Sequence, residues 1–292
     1  MKILGTGMRG LVGSRVQELL SEYKFENLDR TSGVDITNAE QVFSSIGNSK
    51  AEIVLHLAAK TDVDGCEKDK TLGKNGDAWK INVGGTQNIS DACSESGKKL
   101  IYISTDFVFD GDIADGEFYT EEDVPNPINF YAQTKYEGEK IVQNSKVSWI
   151  IARLAYPYRA SFEKNDFFRA ILKRLQNGEG VSAVTDHYFC PTFIDDVALA
   201  LGKLIESSSE GIFHIVGSQC LTPYNAAKAV AEEFGLDTSA VSKTTREEFF
   251  KDRAPRPLRL ALKNDKIRGL GVDIRGFSEG LQEIKHQLNL QA

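Results

Sequence analysis

The stretch Met1-Lys2-Ile3-Leu4-Gly5-Thr6-Gly7-Met8-Arg9-Gly10 is followed by Leu11, Val12, Gly13, Val16, Leu19 and Leu20. A short apolar run thus leads through G-x-G-x-x-G into residues spaced along one helix face, which reads as strand, tight turn, helix. Glycine is required in such a turn because the backbone bends sharply. A side chain there would also keep a pyrophosphate from the amide N–H groups at the helix N-terminus. The hexapeptide alone is a weak signal, but its setting strengthens it. Asp29 closes the next strand-like segment, 22 residues after Gly7. That is near the offset at which a carboxylate meets the ribose hydroxyls of a bound dinucleotide.

Working outward, strand and helix patterns keep alternating. Residues 53–57 are almost continuously apolar, as in a strand buried on both faces. Helical spacing over 78–96 precedes a strand at 100–103. A further helix begins after Pro125 and Pro127 and runs to about Val142, before a strand at 149–152. This order predicts an α/β fold with a Rossmann-type, doubly wound parallel sheet. Beyond residue 155 the pattern loosens. Helices are expected over 167–175, 195–205, 222–234 and 277–288, with a strand at 211–216 and an irregular stretch around Pro255 and Pro257. The expected organisation is a dinucleotide-binding domain over 1–155 and a smaller C-terminal α/β substrate-binding lobe over 156–292, whose chain partly crosses back to the first domain.

Composition narrows the class. With 41% hydrophobic and 26% charged residues the chain can bury an ordinary core, which argues against disorder. A net charge of −7 without a basic run offers no face for nucleic acid or an anionic membrane. No stretch approaches 18 consecutive apolar residues and no signal-peptide pattern is seen, so a cytoplasmic location is expected. Cys66, Cys93, Cys190 and Cys220 are far apart and form no ligand cluster, so buried free thiols and no metal are expected. His56 and His187 read as structural histidines.

The second chemical motif is Tyr131-Ala132-Gln133-Thr134-Lys135. Y-x-x-x-K at a helix start puts both side chains on one face, one turn apart. A neighbouring ammonium would lower the tyrosine pKa and let Tyr131 exchange a proton with a substrate oxygen. The strand before it ends in Ser104-Thr105-Asp106, which aims a hydroxyl at the ligand crevice. A nicotinamide, a proton donor and a hydroxyl on the same oxygen are the parts needed for carbonyl reduction. The dinucleotide is NADPH or NADH. Asp29 favours the unphosphorylated form, whereas Arg9 and Arg30 can pair with a 2′-phosphate, which tips the reading slightly toward NADPH.

These residues resemble the extended short-chain dehydrogenase/reductase family. The resemblance rests on Leu57-Ala58-Ala59, on residues 82–88 (Asn82 to Asn88), on Asp35-Ile36 and on the Tyr131/Lys135 pair, which match family landmarks in order. It is strongest, through residues 58–67, 104–111 and 131–139, to members that reduce sugar nucleotides. The resemblance implies that Thr105, Tyr131 and Lys135 are catalytic. It also implies that Gly5, Gly7, Met8, Arg9, Gly10, Asp29, Arg30 and Lys135 hold the cofactor, with Asp35, Ile36, Leu57, Ala58 and Ala59 around its adenosine half.

On the substrate side it implies that Thr61, Val63, Thr105, Phe107, Tyr156 and Arg256 contact a sugar nucleotide. Tyr156 stands where a tryptophan is usual and Phe107 where a tyrosine is usual. Asp186-His187 and Pro191-Thr192 match a family segment with a shaping role. The substrate diphosphate needs cations, for which Arg153, Arg159, Lys164, Arg169, Arg174, Arg256 and Arg259 are available, Arg256 and Arg259 first. The expected reaction is NAD(P)H-dependent reduction of the C4 carbonyl of a nucleotide-linked 4-keto-6-deoxysugar, with a homodimer as a compatible assembly. The competing expectations are a related sugar-nucleotide epimerase or reductase, a non-catalytic NAD(P)-binding regulatory subunit, and a cofactor-free scaffold.

Overall fold

In the first strand, β1 (Lys2–Thr6), Ile3 and Leu4 point to opposite faces and both are fully buried, the mark of a strand covered on two sides. The computed structural model describes residues 1–291. After β1 come α1 (Leu11–Leu19), β2 (Lys24–Leu28), α2 (Ala39–Asn48), β3 (Ile53–His56), α3 (Val63–Asp69) and α4 (Asp77–Trp79). A π-helical stretch, Lys80–Gly85, joins α4 to α5 (Thr86–Ser96), followed by β4 (Lys99–Thr105), α6 (Phe130–Gln143) and β5 (Trp149–Leu154). Asn38 caps α2 through the Gln41 amide and Asn129 caps α6 through the Ala132 amide, each satisfying an N–H that the helix itself leaves free.

The second half contributes β6 (Pro157–Tyr158), α7 (Phe167–Gln176), β7 (Val181–Val184), β8 (Tyr188–Phe189), β9 (Thr192–Phe193), α8 (Ile194–Glu206) and β10 (Gly211–Ile215). Then follow α9 (Pro223–Glu233), β11 (Val241–Thr244), α10 (Arg246–Phe249), β12 (Arg259–Leu260), α11 (Asp265–Arg268) and α12 (Phe277–Gln291). Six strands form one parallel sheet in the order β10-β5-β4-β3-β1-β2. Ile3, Leu55, Ile101 and Ile150 pack toward α1 and α8, whereas Leu4, Val54, Leu100 and Ile151 pack toward α2, α5 and α6. A separate core around Phe168, Phe189, Phe193, Val230 and Phe277 holds the remaining lobe together. Since β10 belongs to the large sheet and α8 packs on α1, the chain returns to the first half after residue 193.

The expectation of four free thiols is corrected. Cys190 and Cys220 form a disulfide. The antiparallel bridge between Phe189 and Leu221 brings these two segments side by side, with Cα atoms 4.2 Å apart, a proximity that sequence spacing does not reveal. Cys66 and Cys93 are free and buried, and burial pushes both thiols up to about 12. Among the described residues no helix is long and apolar enough to cross a membrane.

Candidate active site

The glycine-rich turn has the geometry its sequence predicts. Gly7 adopts a φ of +68°, and a Cβ there would lie 2.7 Å from the Ala58 amide nitrogen, so strand β3's exit loop can press directly on the turn. Gly13 is similarly tight, since a Cβ would meet the Gly7 carbonyl oxygen at 2.6 Å. Gly10 stands at the N-cap of α1 with no side chain capping the helix, which leaves first-turn N–H groups free for an anion.

From this turn a cavity of about 950 Å³ runs along the C-terminal ends of the strands, where ligands bind in open α/β sheets. Arg9, Asp29, Arg30, Asp35, Ile36 and the Leu57–Ala59 segment line one end; Thr61, Val63, Thr105, Phe107, Tyr131, Tyr156 and Arg256 line the other. Asp29 is held by Thr31 and Ser32, whose groups donate to its Oδ1. These bonds, chiefly that from the Thr31 hydroxyl, keep its carboxyl below the usual range. Its Oδ2 has no hydrogen bond, although Arg9 Nε lies 3.0 Å away as a charge contact. A glycine cradle that a Cβ would fill, an uncapped helix start and a carboxylate held only by an exposed arginine at its Oδ2 together fit a dinucleotide.

At the other end, Thr105 and Tyr131 both line the cavity. Burial pushes the Tyr131 phenol well above its ordinary value, so it carries its proton at neutral pH and can donate it. The Thr105 hydroxyl donates to Asp106 Oδ1 at 3.0 Å.

Comparison with known proteins accords with this geometry. The family described as RmlD substrate binding domain matches residues 1–290. The spore coat polysaccharide biosynthesis protein SpsK of Bacillus subtilis is 31% identical, over 97% of this chain and 96% of its own. The chain belongs to the RmlD substrate binding domain family.

Among its other relatives, the methionine adenosyltransferase 2 subunit beta of Mus musculus is 28% identical over 97% of this chain and 86% of its own. The crystal structure of dTDP-4-dehydrorhamnose reductase from Bacillus anthracis in complex with NADP is 30% identical, with a TM-score of 0.89, covering 98% of this chain and 99% of that one. Within the extended short-chain dehydrogenase/reductases the chain is thus most like the dTDP-4-dehydrorhamnose reductases.

Several of the expected site residues stand outside the cavity wall. Gly5 and Met8 do not line the cavity; the Met8 side chain is fully buried against Gly5, where a Cβ would lie 2.3 Å from Met8 Cγ. Their part is to pack the turn onto the sheet. Lys135 is not in the cavity wall either. Its ammonium donates to the Ile103 carbonyl at 2.8 Å and sits 4.1 Å over the Tyr102 ring. Burial lowers it to about 7, with Glu139 pulling the other way. The expected lowering of the Tyr131 pKa by Lys135 is therefore absent here.

Of the cations expected to meet a diphosphate, only Arg256 lines the cavity. Arg153 is committed to Glu139, Arg159 to Glu18, Arg169 to Asp166 and Arg259 to Asp115. Arg256 itself bonds Asp64 at 2.9 Å and the Ala254 carbonyl at 2.6 Å, with its guanidinium 4.9 Å from the Phe250 ring centre.

Three contributors went unassigned by sequence. Asp106 is buried in the wall, its Oδ2 lacks a partner, and burial pushes it up to about 7; its place directly after Thr105 at a strand end was the available signal. Asn82 bonds Lys60 through both its amide groups, at 2.7 and 3.0 Å, and also reaches Thr134 at 2.9 Å, which ties the loop after β3 to α6. Phe250, from the irregular stretch before Pro255, forms part of the wall beside Arg256.

Proposed function

We propose that this protein reduces the C4 carbonyl of a nucleotide-linked 4-keto-6-deoxysugar, as a dTDP-4-dehydrorhamnose reductase would. Like the NADP-bound reductase it resembles, the chain is an NAD(P)-dependent oxidoreductase of the sugar-nucleotide class. The observation that carries this reading is that Tyr131 and Thr105 line the same cavity as the glycine turn and Asp29. When bound, the reduced nicotinamide supplies the hydride. Tyr131, kept protonated by burial, gives its proton to the oxygen that becomes the alcohol. Thr105 hydrogen-bonds the same oxygen and orients it. Lys135, one turn along α6 from Tyr131, reaches the cofactor ribose by releasing the Ile103 carbonyl that it bonds in this structure. Thr61 and Val63 flank the sugar, while Arg256 meets the diphosphate. In this reading residues 1–155 bind the cofactor and 156–292 contribute most of the substrate side.

The test is oxidation of NADPH with dTDP-4-keto-6-deoxysugars, comparing the native chain with Tyr131→Phe. Turnover is expected to fall by about 10²–10⁴-fold in the variant, while NADPH affinity stays as it was. Near-normal turnover in the variant would remove Tyr131 from the chemistry. Absence of NADPH oxidation by the native chain with every such sugar would favour a regulatory subunit. Tightly retained NAD and no need for added cofactor would favour an epimerase.

A further inference from the structure

Tyr156 combines three features that no packing role requires together. It has a φ of +40°, in the region that residues with a side chain rarely occupy, so its surroundings must hold it in place. Its ring is only partly buried and lines the cavity between Phe107 and Phe167. Its hydroxyl lies 3.0 Å from His187 Nε2, and it feels the charges of Asp106 and Arg256, both in the cavity wall.

The hydrogen-bond chain behind Tyr156 has only one proton arrangement. His187 Nδ1 is 2.7 Å from the Pro257 carbonyl oxygen, and a carbonyl only accepts, so Nδ1 carries the imidazole proton. The ring is neutral, because burial, with Arg246 and Arg256 nearby, lowers His187 to about 4. Nε2 is then an acceptor, and the Tyr156 hydroxyl must donate to it. The phenol proton is thereby spent on the protein side, and only the lone pairs of the oxygen remain for a ligand.

We propose that His187 fixes Tyr156 as a hydrogen-bond acceptor in the sugar end of the cavity, so that Tyr156 selects ligands presenting a ring hydroxyl, or another O–H or N–H donor, at that wall. Tyr156 is the specificity-determining residue and His187 its positioning residue. This rests on the sugar-nucleotide reading above and adds to it the polarity of one contact. The neighbouring Asp106 leaves its Oδ2 without a partner in the same wall.

The experiment measures calorimetric binding, in the presence of NADP⁺, of dTDP-rhamnose and of its analogues with the 2- or the 3-hydroxyl replaced by fluorine, which cannot donate. The native chain is expected to bind one of the two analogues about 10-fold more weakly than the parent, the worth of one such bond. Tyr156→Phe is expected to weaken the parent to the level of that analogue and to close the gap. His187→Phe leaves the phenol proton free to turn toward the ligand, and is expected to shrink the gap below about 3-fold with Tyr156 still present. A merely structural role for His187 would weaken parent and analogue alike and keep the gap.

Equal native affinity for the parent and both analogues, or a gap that survives Tyr156→Phe, overturns the proposal. Turnover of the corresponding 4-ketosugar is followed in parallel. Turnover without the gap sinks this inference alone, the gap without turnover sinks the reductase reading alone, and binding of none of the three sugars overturns both.

Discussion

Glu139 and Arg153 form a two-bonded ion pair, at 2.9 and 2.7 Å, with both side chains essentially excluded from solvent. Glu139 lies two helical turns beyond Tyr131 and one beyond Lys135 on α6, and Arg153 lies on β5. Arg153 also stacks on Phe109 at 5.0 Å and approaches His214 Nε2 at 3.4 Å, so α6, β5 and β10 are joined beneath the site. Removing one partner leaves a buried, uncompensated charge, which costs about 3–5 kcal/mol, whereas removing both costs far less. Arg153→Met should therefore lower the urea-unfolding free energy by about 3–5 kcal/mol, and Arg153→Met combined with Glu139→Leu should recover most of it. Additive losses in the double variant would mean that the two residues do not act as a pair.

Three histidines are buried and neutral. Desolvation pushes His56 and His214 down to about 3 and His187 to about 4, against about 6.5 in an unfolded chain. Between about pH 6.5 and 4 the unfolded state binds protons that the folded state refuses, so stability is fully present above that window and falls as the pH drops through it. Three such groups contribute about 4 kcal/mol per pH unit, and Asp106, which burial keeps protonated up to about pH 7, works in the opposite sense and leaves a net slope of about 3. Urea midpoints are expected to fall steeply from about pH 7 to about pH 5, above the range where carboxylates such as Asp29 and Asp64 release their own stabilisation. His187→Gln should remove about half of this net slope. A flat profile across this window would contradict the burial of all three rings.

Local sequence made the sheet legible, because period and punctuation agree with the fold. The apolar run at 53–57 and the glycine turn each carry their own physical cause, and they stand where the spacing placed them. What escaped was set by contacts across the chain. Tyr156, His187 and Pro257 lie far apart in sequence and meet only because β8 pairs with β12. Lys135 turns toward Ile103 and Tyr102 because burial rewards a carbonyl and a ring face, which a Y-x-x-x-K pattern cannot encode. Helical spacing over 78–96 likewise concealed the π-helical stretch from which Asn82 reaches Lys60.

The bond between Cys190 and Cys220 closes a separation of 30 residues. Restricting the unfolded chain over a loop of that length stabilises the folded state by about 3–4 kcal/mol in the chain-entropy account. Cys190→Ser with Cys220→Ser should lower the unfolding free energy by that amount under oxidising conditions, and a reductant should bring the native chain toward the variant while leaving the variant unmoved. A variant as stable as the oxidised native chain would show that the bond adds nothing.

We propose that Arg9 and Arg30 read the cofactor's 2′ position. Arg9 contacts Asp29 Oδ2 at 3.0 Å and Arg30 contacts Asp35 Oδ2 at 3.1 Å, yet both guanidiniums are mostly exposed, at 66% and 76%. Exposed pairs of this kind hold each other by about 1 kcal/mol or less, so either arginine can exchange its carboxylate for a phosphate at small cost. A charge-assisted bond to that phosphate is worth about 1.5–3 kcal/mol. Asp29 is placed differently, since its Oδ1 is committed to Thr31 and Ser32 and cannot swing away. Arg9→Ala with Arg30→Ala is therefore expected to raise KM for NADPH about 10–100-fold and to leave KM for NADH within about 3-fold. Asp29→Asn should act in the opposite sense, easing NADPH and weakening NADH. Initial rates with each cofactor check this, and equal losses for both cofactors in the double variant would mean that the arginines do not read the phosphate.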